Sequence, residues 1–490
     1  VVLAGAVATA AVAVASNSVS ATPNAPGSET RAGVRALGVT PEPSGTPAAR
    51  RIMIGFYDDP SFRWSAQTNA NLAAAASAHA SIVHALVDWA AVAPTKPANP
   101  LNGNDPAYHL SDIDALVRNA EQDDLQVLLT ITGTPAWANG GQTPNHPPTN
   151  LNDLTQFAQM LATRYNGSHA GFGVVTRFSV WNEPNLGLFL TPQYQGTQIV
   201  SPTIYAKLFM AAYKGIKAGD PNAIVAAGET SNRGRNTPTG KPGEDSVAPG
   251  TFAQLLAQVA PTLPFSAWAT HPYPSNFALG PAQKVAFPNV AFSTMTQFGA
   301  SLAKWFKRPV PIWITEYGEE TKPQYAYGVS YAQQAADAKE ALQLAASDPY
   351  VQMFVWFIFR DSTAQTWFSG LEQANGSKKP AYAAFSSVAA NTNGQSQLVR
   401  PSLPFSVTLG VPFMAYHDSP GTKVGVSYTI RRGTTMVASG DPQATLQRDA
   451  TITFPVGFEP AAATSYTMTV LVKDANGQSE QHIVSLLPTT

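Results

Sequence analysis

The stretch Phe178-Ser179-Val180-Trp181-Asn182-Glu183-Pro184-Asn185 decides how the rest of the chain is read. Val174 to Trp181 is rich in β-branched and aromatic residues, the composition of a buried strand. Pro184 cannot extend a ladder, so the strand ends there with Glu183 at its mouth. A second buried-type strand, Val310–Thr315, ends the same way on Glu316-Tyr317-Gly318. A carboxylate at the mouth of a buried strand is a poor structural choice. Two of them point to paired-carboxylate chemistry, one group giving a proton and the other ionised.

Working outward from these two strands, six more follow the same rhythm. Arg51–Tyr57, Ser81–Trp89 and Leu125–Thr130 precede the first motif. Ala223–Gly228 and Phe265–Thr270 lie between the motifs, and Val351–Phe359 follows the second. Helical patterns alternate with them: Ser65–Ala80, Ser111–Asn119, Tyr205–Lys217, Phe298–Phe306, Tyr331–Leu344 and Pro380–Ala389, with Leu154, Phe157, Ala158 and Leu161 at helical spacing before the fourth strand. Eight strands alternating with helices predict an α/β fold, a (β/α)8 TIM barrel over residues 51–390. The long segments Leu186–Ser201, Ser231–Gly250 and Pro274–Pro288 then fall on the face where barrels build their sites.

The pattern changes after a polar breaker at Asn391–Gln397. Val424, Val426, Tyr428 and Ile430 alternate with smaller or polar residues, as do Tyr466, Met468, Val470 and Val472 ahead of the hairpin signal Asn476-Gly477. Residues 398–490 are therefore expected to form a small antiparallel β-sandwich. At the other end, Val1–Ser16 is a short apolar run followed by small residues, so residues 1–21 are expected to be a signal peptide, with a membrane anchor as the alternative. Residues 22–50, rich in Pro, Ser, Thr, Gly and Ala, are expected to be a disordered linker.

Of 490 residues, 12% are charged and the formal net charge is −1. That balance gives no footprint for nucleic acid or a polybasic membrane surface. The chain has no cysteine, hence no disulfide or thiol chemistry. Its eight histidines are scattered, with no His-Glu-x-x-His, so no metal or cofactor is expected. Gly-x-Ser-x-Gly and Gly-rich phosphate loops are absent. Oligomeric state is not legible.

Trp181-Asn182-Glu183-Pro184 with Trp313-Ile314-Thr315-Glu316 resembles the retaining glycoside hydrolases of clan A, whose catalytic glutamates close strands four and seven of a TIM barrel. The cellulase-like and β-xylosidase-like families, 5 and 39, are the similar ones, and the resemblance spans Ile52 to Phe385. It implies a glycosidase acting on a β-linked carbohydrate by double displacement; the N-terminal apolar run and the absence of cysteine fit a secreted or cell-surface protein of bacterial type. It further implies Glu183 as acid/base, Glu316 as nucleophile and Asn182 on the hydroxyl beside the reacting carbon. His271 and Tyr273 match the family's His-x-Tyr after strand six, where the tyrosine contacts the nucleophile.

Trp137 and Trp356 are candidate flat faces for a sugar ring, with core packing the alternative for Trp356. Asp88 and Trp89, near the end of strand two, are candidate substrate contacts. The chain departs from the family at His84, where many relatives carry arginine. Glu229, a third carboxylate at the same face, is open between binding sugar hydroxyls and pairing with Arg233 or Arg235. Two other function classes stay in view: a carbohydrate-binding barrel of the cell envelope with little catalysis, and a structural envelope component.

Overall fold

The computed structural model describes residues 52–488, apart from residues 124, 170, 309, 349, 363–366, 393–394, 412–413, 415–417, 434, 448–450, 465 and 478. The expected signal peptide and linker, residues 1–50, lie outside the described residues.

Eight strands form one closed parallel barrel in sequential order: β1 (Met53–Tyr57), β2 (Ile82–Asp88), β3 (Gln126–Thr132), β4 (Arg177–Val180), β5 (Ile224–Ser231), β6 (Ala267–His271), β7 (Ile312–Tyr317) and β8 (Val351–Phe357). Closure comes from β8 pairing with β1, Met353 opposite Met53 through Phe357 opposite Tyr57. Each crossover carries a helix that turns one stripe inward. The helix Ser111–Gln122, with Asp112 and Asp114 favouring its N-terminal turn, buries Ile113, Leu116, Val117 and Ala120.

The barrel core has two parts. Most large apolar side chains pack between strands and helices. A smaller set, among them Tyr57, Ile82, Leu128, Ala267, Trp313 and Met353, fills the interior. Above that plug the inward residues turn polar: His84, Thr130, Glu229 and Thr315 are all buried. The site stands on this polar layer.

Two irregularities aim the carboxylates. On β5 the pairing with β6 shifts between Ala227 and Thr230, which makes a bulge at Gly228-Glu229. Gly228 is required there: its φ is +101°, and a Cβ would lie 2.6 Å from the Ala269 carbonyl oxygen and 2.7 Å from the Trp268 ring. On β7, Ile314 faces Phe354 but Tyr317 faces Trp356, so an extra residue is inserted around Thr315-Glu316. Past β4, Trp181 and Glu183 both have positive φ, +69° and +39°. Left-handed backbone in non-glycine residues is costly and clusters at functional sites.

The C-terminal region holds a mainly antiparallel sheet, Gln395–Val399, Ser479–Pro488, Tyr466–Lys473, Lys423–Arg432 and Thr435–Gly440 in spatial order, and a two-stranded sheet, Phe405–Gly410 with Thr451–Val456. They enclose one core, Val424, Val426, Ile430, Met468 and Val470 from the first and Leu409, Ile452 and Phe454 from the second. This is the expected sandwich, with one difference. The supposed breaker at 391–397 is the end of the helix Pro380–Thr392 and the start of the strand Gln395–Val399, which runs parallel to its partner. Polar residues on an edge strand carry no periodic signal. Among the described residues no helix is long and apolar enough to cross a membrane.

Candidate active site

Strand β4 ends at Val180, and the left-handed turn at Trp181 and Glu183 swings the Glu183 carboxyl over the barrel mouth. Its backbone N–H donates to the Glu229 carbonyl at 2.9 Å, so the β5 bulge holds the acid's main chain. From β7, Glu316 reaches the same point. Nδ1 of His271 lies 3.0 Å from Oε1 of Glu183 and 3.7 Å from Oε2 of Glu316. The Tyr273 hydroxyl donates to Oε2 of Glu316 at 3.0 Å. The residues of the two strand-end motifs and the His-x-Tyr pair thus converge.

Beneath them sits Glu229, fully buried. Its Oε2 accepts from Nε2 of His271 at 2.8 Å and from the Thr315 hydroxyl at 2.6 Å. It binds neither loop arginine: Arg233 and Arg235 are exposed. The expected pairing with Arg233 or Arg235 therefore does not hold; the charged partner of Glu229 is His271. The fold had to bring β5 beside β6 before the partner could be seen.

The charges respond to this crowding. Burial pushes Glu316 up to about 7, the Glu183 and Glu229 carboxylates add to that, and His271 and the Tyr273 hydroxyl hold it back. Burial opposes ionisation of Glu229 as well, but its hydrogen bond and charge pairing with His271 prevail and bring it down to about 2. His271 is buried, which works against its charge; the three carboxylates overcome this and hold its pKa well above the ordinary value. His84 is pushed down to about 4 by burial and is a neutral core histidine. Its Nδ1 donates to the Thr315 carbonyl at 3.1 Å and its Nε2 meets the Thr130 hydroxyl at 2.7 Å.

The remaining candidates divide. Asn182 is buried beside Glu183, and its Oδ1 has no hydrogen-bond partner. Asp88 caps the short helix Trp89–Val92 by accepting from the Ala90 N–H at 3.0 Å. Trp89 is buried and stacks on Phe157 with ring centroids 5.4 Å apart, on the helix side of the barrel. Trp137 is half-buried, donates to the Ala93 carbonyl and packs edge-on against Trp89. Trp356 lies in the outer core against Phe385, its ring N–H donating to the Ser369 carbonyl, and it does not face the cleft. Phe357, one residue on, faces inward with Tyr57 and contacts Trp367. Trp367, missed in the sequence, lies edge-on to Tyr273 at 5.6 Å, and a run of rings continues through Phe277 and Tyr325 to the exposed Tyr327.

Residues 45–359 match the family model described as cellulase, glycosyl hydrolase family 5. No curated protein sequence matches the chain. Among solved structures, a family 39 glycoside hydrolase from the gut symbiont Bacteroides cellulosilyticus aligns at 16% identity over 91% of this chain and 81% of its own, with a TM-score of 0.50. A glucosidase from Croceicoccus marinus aligns at 12% identity over 87% of this chain and 97% of its own, with a TM-score of 0.53. At these identities the likeness concerns the fold.

Proposed function

The chain belongs to the cellulase family, glycosyl hydrolase family 5, and is a glycoside hydrolase acting on carbohydrate; from that premise we propose that Glu183 and Glu316 cleave a β-linked O-glycosidic bond with retention of configuration. The observation that carries this is the shared contact: one nitrogen of His271 touches both carboxyls, at 3.0 and 3.7 Å. Retaining enzymes keep the pair about 5–5.5 Å apart, whereas inverting ones leave about 6.5–9.5 Å for a water.

In this mechanism Glu316, ionised and oriented by the Tyr273 hydroxyl, attacks the anomeric carbon. Glu183 protonates the departing oxygen, then takes a proton from the water that releases the sugar from Glu316. The unpartnered Oδ1 of Asn182 is available to accept from the sugar hydroxyl beside the reacting carbon. The rings of Phe357, Trp367 and Phe277 offer apolar faces alongside, which favours a glycan or aryl glycoside.

The roles are separable with azide. Glu183→Ala should lose roughly 10²–10⁴-fold on substrates with poor leaving groups yet still release an activated phenol, and azide should give a glycosyl azide of retained configuration. Glu316→Ala should lose turnover for every leaving group, and azide should give the inverted product. Opposite configurations would swap the roles. Unchanged hydrolysis in both variants would refute the proposal.

A further inference from the structure

The barrel mouth holds three carboxylates, Glu183, Glu229 and Glu316, and among the described residues their ion pairs are all with His271. His84, buried behind the cluster, brings no charge to it. Its Nδ1 faces a carbonyl, so that nitrogen carries the hydrogen and Nε2 must accept from Thr130 at 2.7 Å. The single hydroxyl proton of Thr130 is then used, and its 3.2 Å approach to Glu229 Oε1 supplies no donor. The Thr315 hydroxyl and the Nε2–H of His271 hold Glu229 Oε2, and the Ser179 hydroxyl also favours its charge.

An imidazole between carboxylates has a strict proton count. If Nε2 gives its hydrogen to ionised Glu229, only Nδ1 remains to face Glu183 at 3.0 Å. One proton must lie between that nitrogen and Oε1 of Glu183. It sits on the nitrogen with Glu183 ionised, or on the carboxyl with the ring neutral. The second arrangement is a protonated general acid with its hydrogen stored in place.

We propose that Glu229 is a positioning residue for the reaction: its buried charge fixes a proton on Nε2 of His271, so that Nδ1 shares and retains the catalytic proton of Glu183. Glu229 does not touch substrate. It acts through His271 and, by its carbonyl, through the Glu183 main chain. The groups that face His271 are Glu183 at the end of β4, Glu229 on β5, Glu316 on β7 and Tyr273 beyond β6, with neutral His84 of β2 acting from behind Thr130. This rests on the roles proposed for Glu183 and Glu316.

Glu229→Gln in the full chain tests it, because a carboxamide oxygen keeps the shape and can still accept from Nε2 while the charge is gone. The readout is the pH profile of kcat/KM on an aryl glycoside. An opposite charge at contact distance raises a pKa by about 1–3 units, so the basic limb should move to lower pH by at least about one unit. Thr315→Val should do the reverse at the basic limb, because a Glu229 that loses a hydroxyl donor holds the imidazole proton more tightly. A merely structural Glu229 would lower the plateau and leave the limbs in place, and a basic limb unmoved in Glu229→Gln overturns the proposal. If Glu229→Gln does not fold, Thr315→Val decides, with an unmoved or lowered basic limb as the refuting result. Nitrogen-15 spectra of the histidine rings, with His271→Asn to assign the signal, read the same proton without turnover. Nε2 should stay protonated in the wild type at alkaline pH and lose that preference in Glu229→Gln; identical titrations would refute the role of Glu229 even if no glycoside were cleaved.

Discussion

Tyr273→Phe isolates one hydrogen bond at the nucleophile. The Tyr273 hydroxyl sits 3.0 Å from Oε2 of Glu316, and burial beside carboxylates holds its own pKa well above the ordinary value. It is therefore a donor throughout the working pH range. Glu316 is already pushed up to about 7, chiefly by burial. A hydrogen bond to a charged group contributes about 1.5–3 kcal/mol, and about 1.36 kcal/mol corresponds to one pKa unit. Losing the hydroxyl should thus raise the Glu316 carboxyl by about one to two units. The sign follows from the chemistry: the nucleophile must be ionised, so the acid limb of kcat/KM moves to higher pH. At pH 7 the ionised fraction falls about 5–50-fold, and much of the rate should return as pH is raised. The assay is release of an activated phenol across the pH range, where proton donation matters least. An acid limb that stays in place while the rate falls at every pH would refute this account and leave Tyr273 with a role in orientation or substrate contact alone.

Two further substitutions probe the frame. Gly228→Ala forces a Cβ at φ +101° to within 2.6 Å of the Ala269 carbonyl, and should destabilise the protein by roughly 2 kcal/mol or more, read as a lower denaturant midpoint; an unchanged midpoint would show that the bulge relaxes freely. Trp356→Phe removes a buried indole that donates to Ser369 and should lower stability by about 1–3 kcal/mol with KM unchanged, whereas a raised KM at wild-type stability would put Trp356 in the cleft.

The chemistry of the site was legible where it is written locally. Asn182-Glu183-Pro184 and Thr315-Glu316 each place a carboxylate where a hydrophobic strand stops, and alternating strands and helices number eight, so barrel and carboxylate pair followed from short-range pattern. The faces of the strands did not follow. Barrel strands are buried on both sides and have no apolar–polar alternation to show which residues point inward. Trp356 was a candidate sugar contact for that reason, while the inward residue is Phe357. Asp88 and Trp89 carry the same ambiguity at the end of β2, where the chain turns into a helix and the tryptophan enters the outer core.

What the sequence determined by itself is the strand-end carboxylates, the barrel around them and the paired-carboxylate chemistry they imply. Tertiary structure alone decided what stands beneath them. Glu229 is separated from His271 by 42 residues and from Thr315 by 86, and no local pattern links them. Its inward aim depends on an extra residue in β5, which shifts side-chain parity without leaving a periodic trace. Whether a buried carboxylate is a cost or a device depends on which donor the neighbouring strand presents, and only closure of the barrel brings that donor to 2.8 Å.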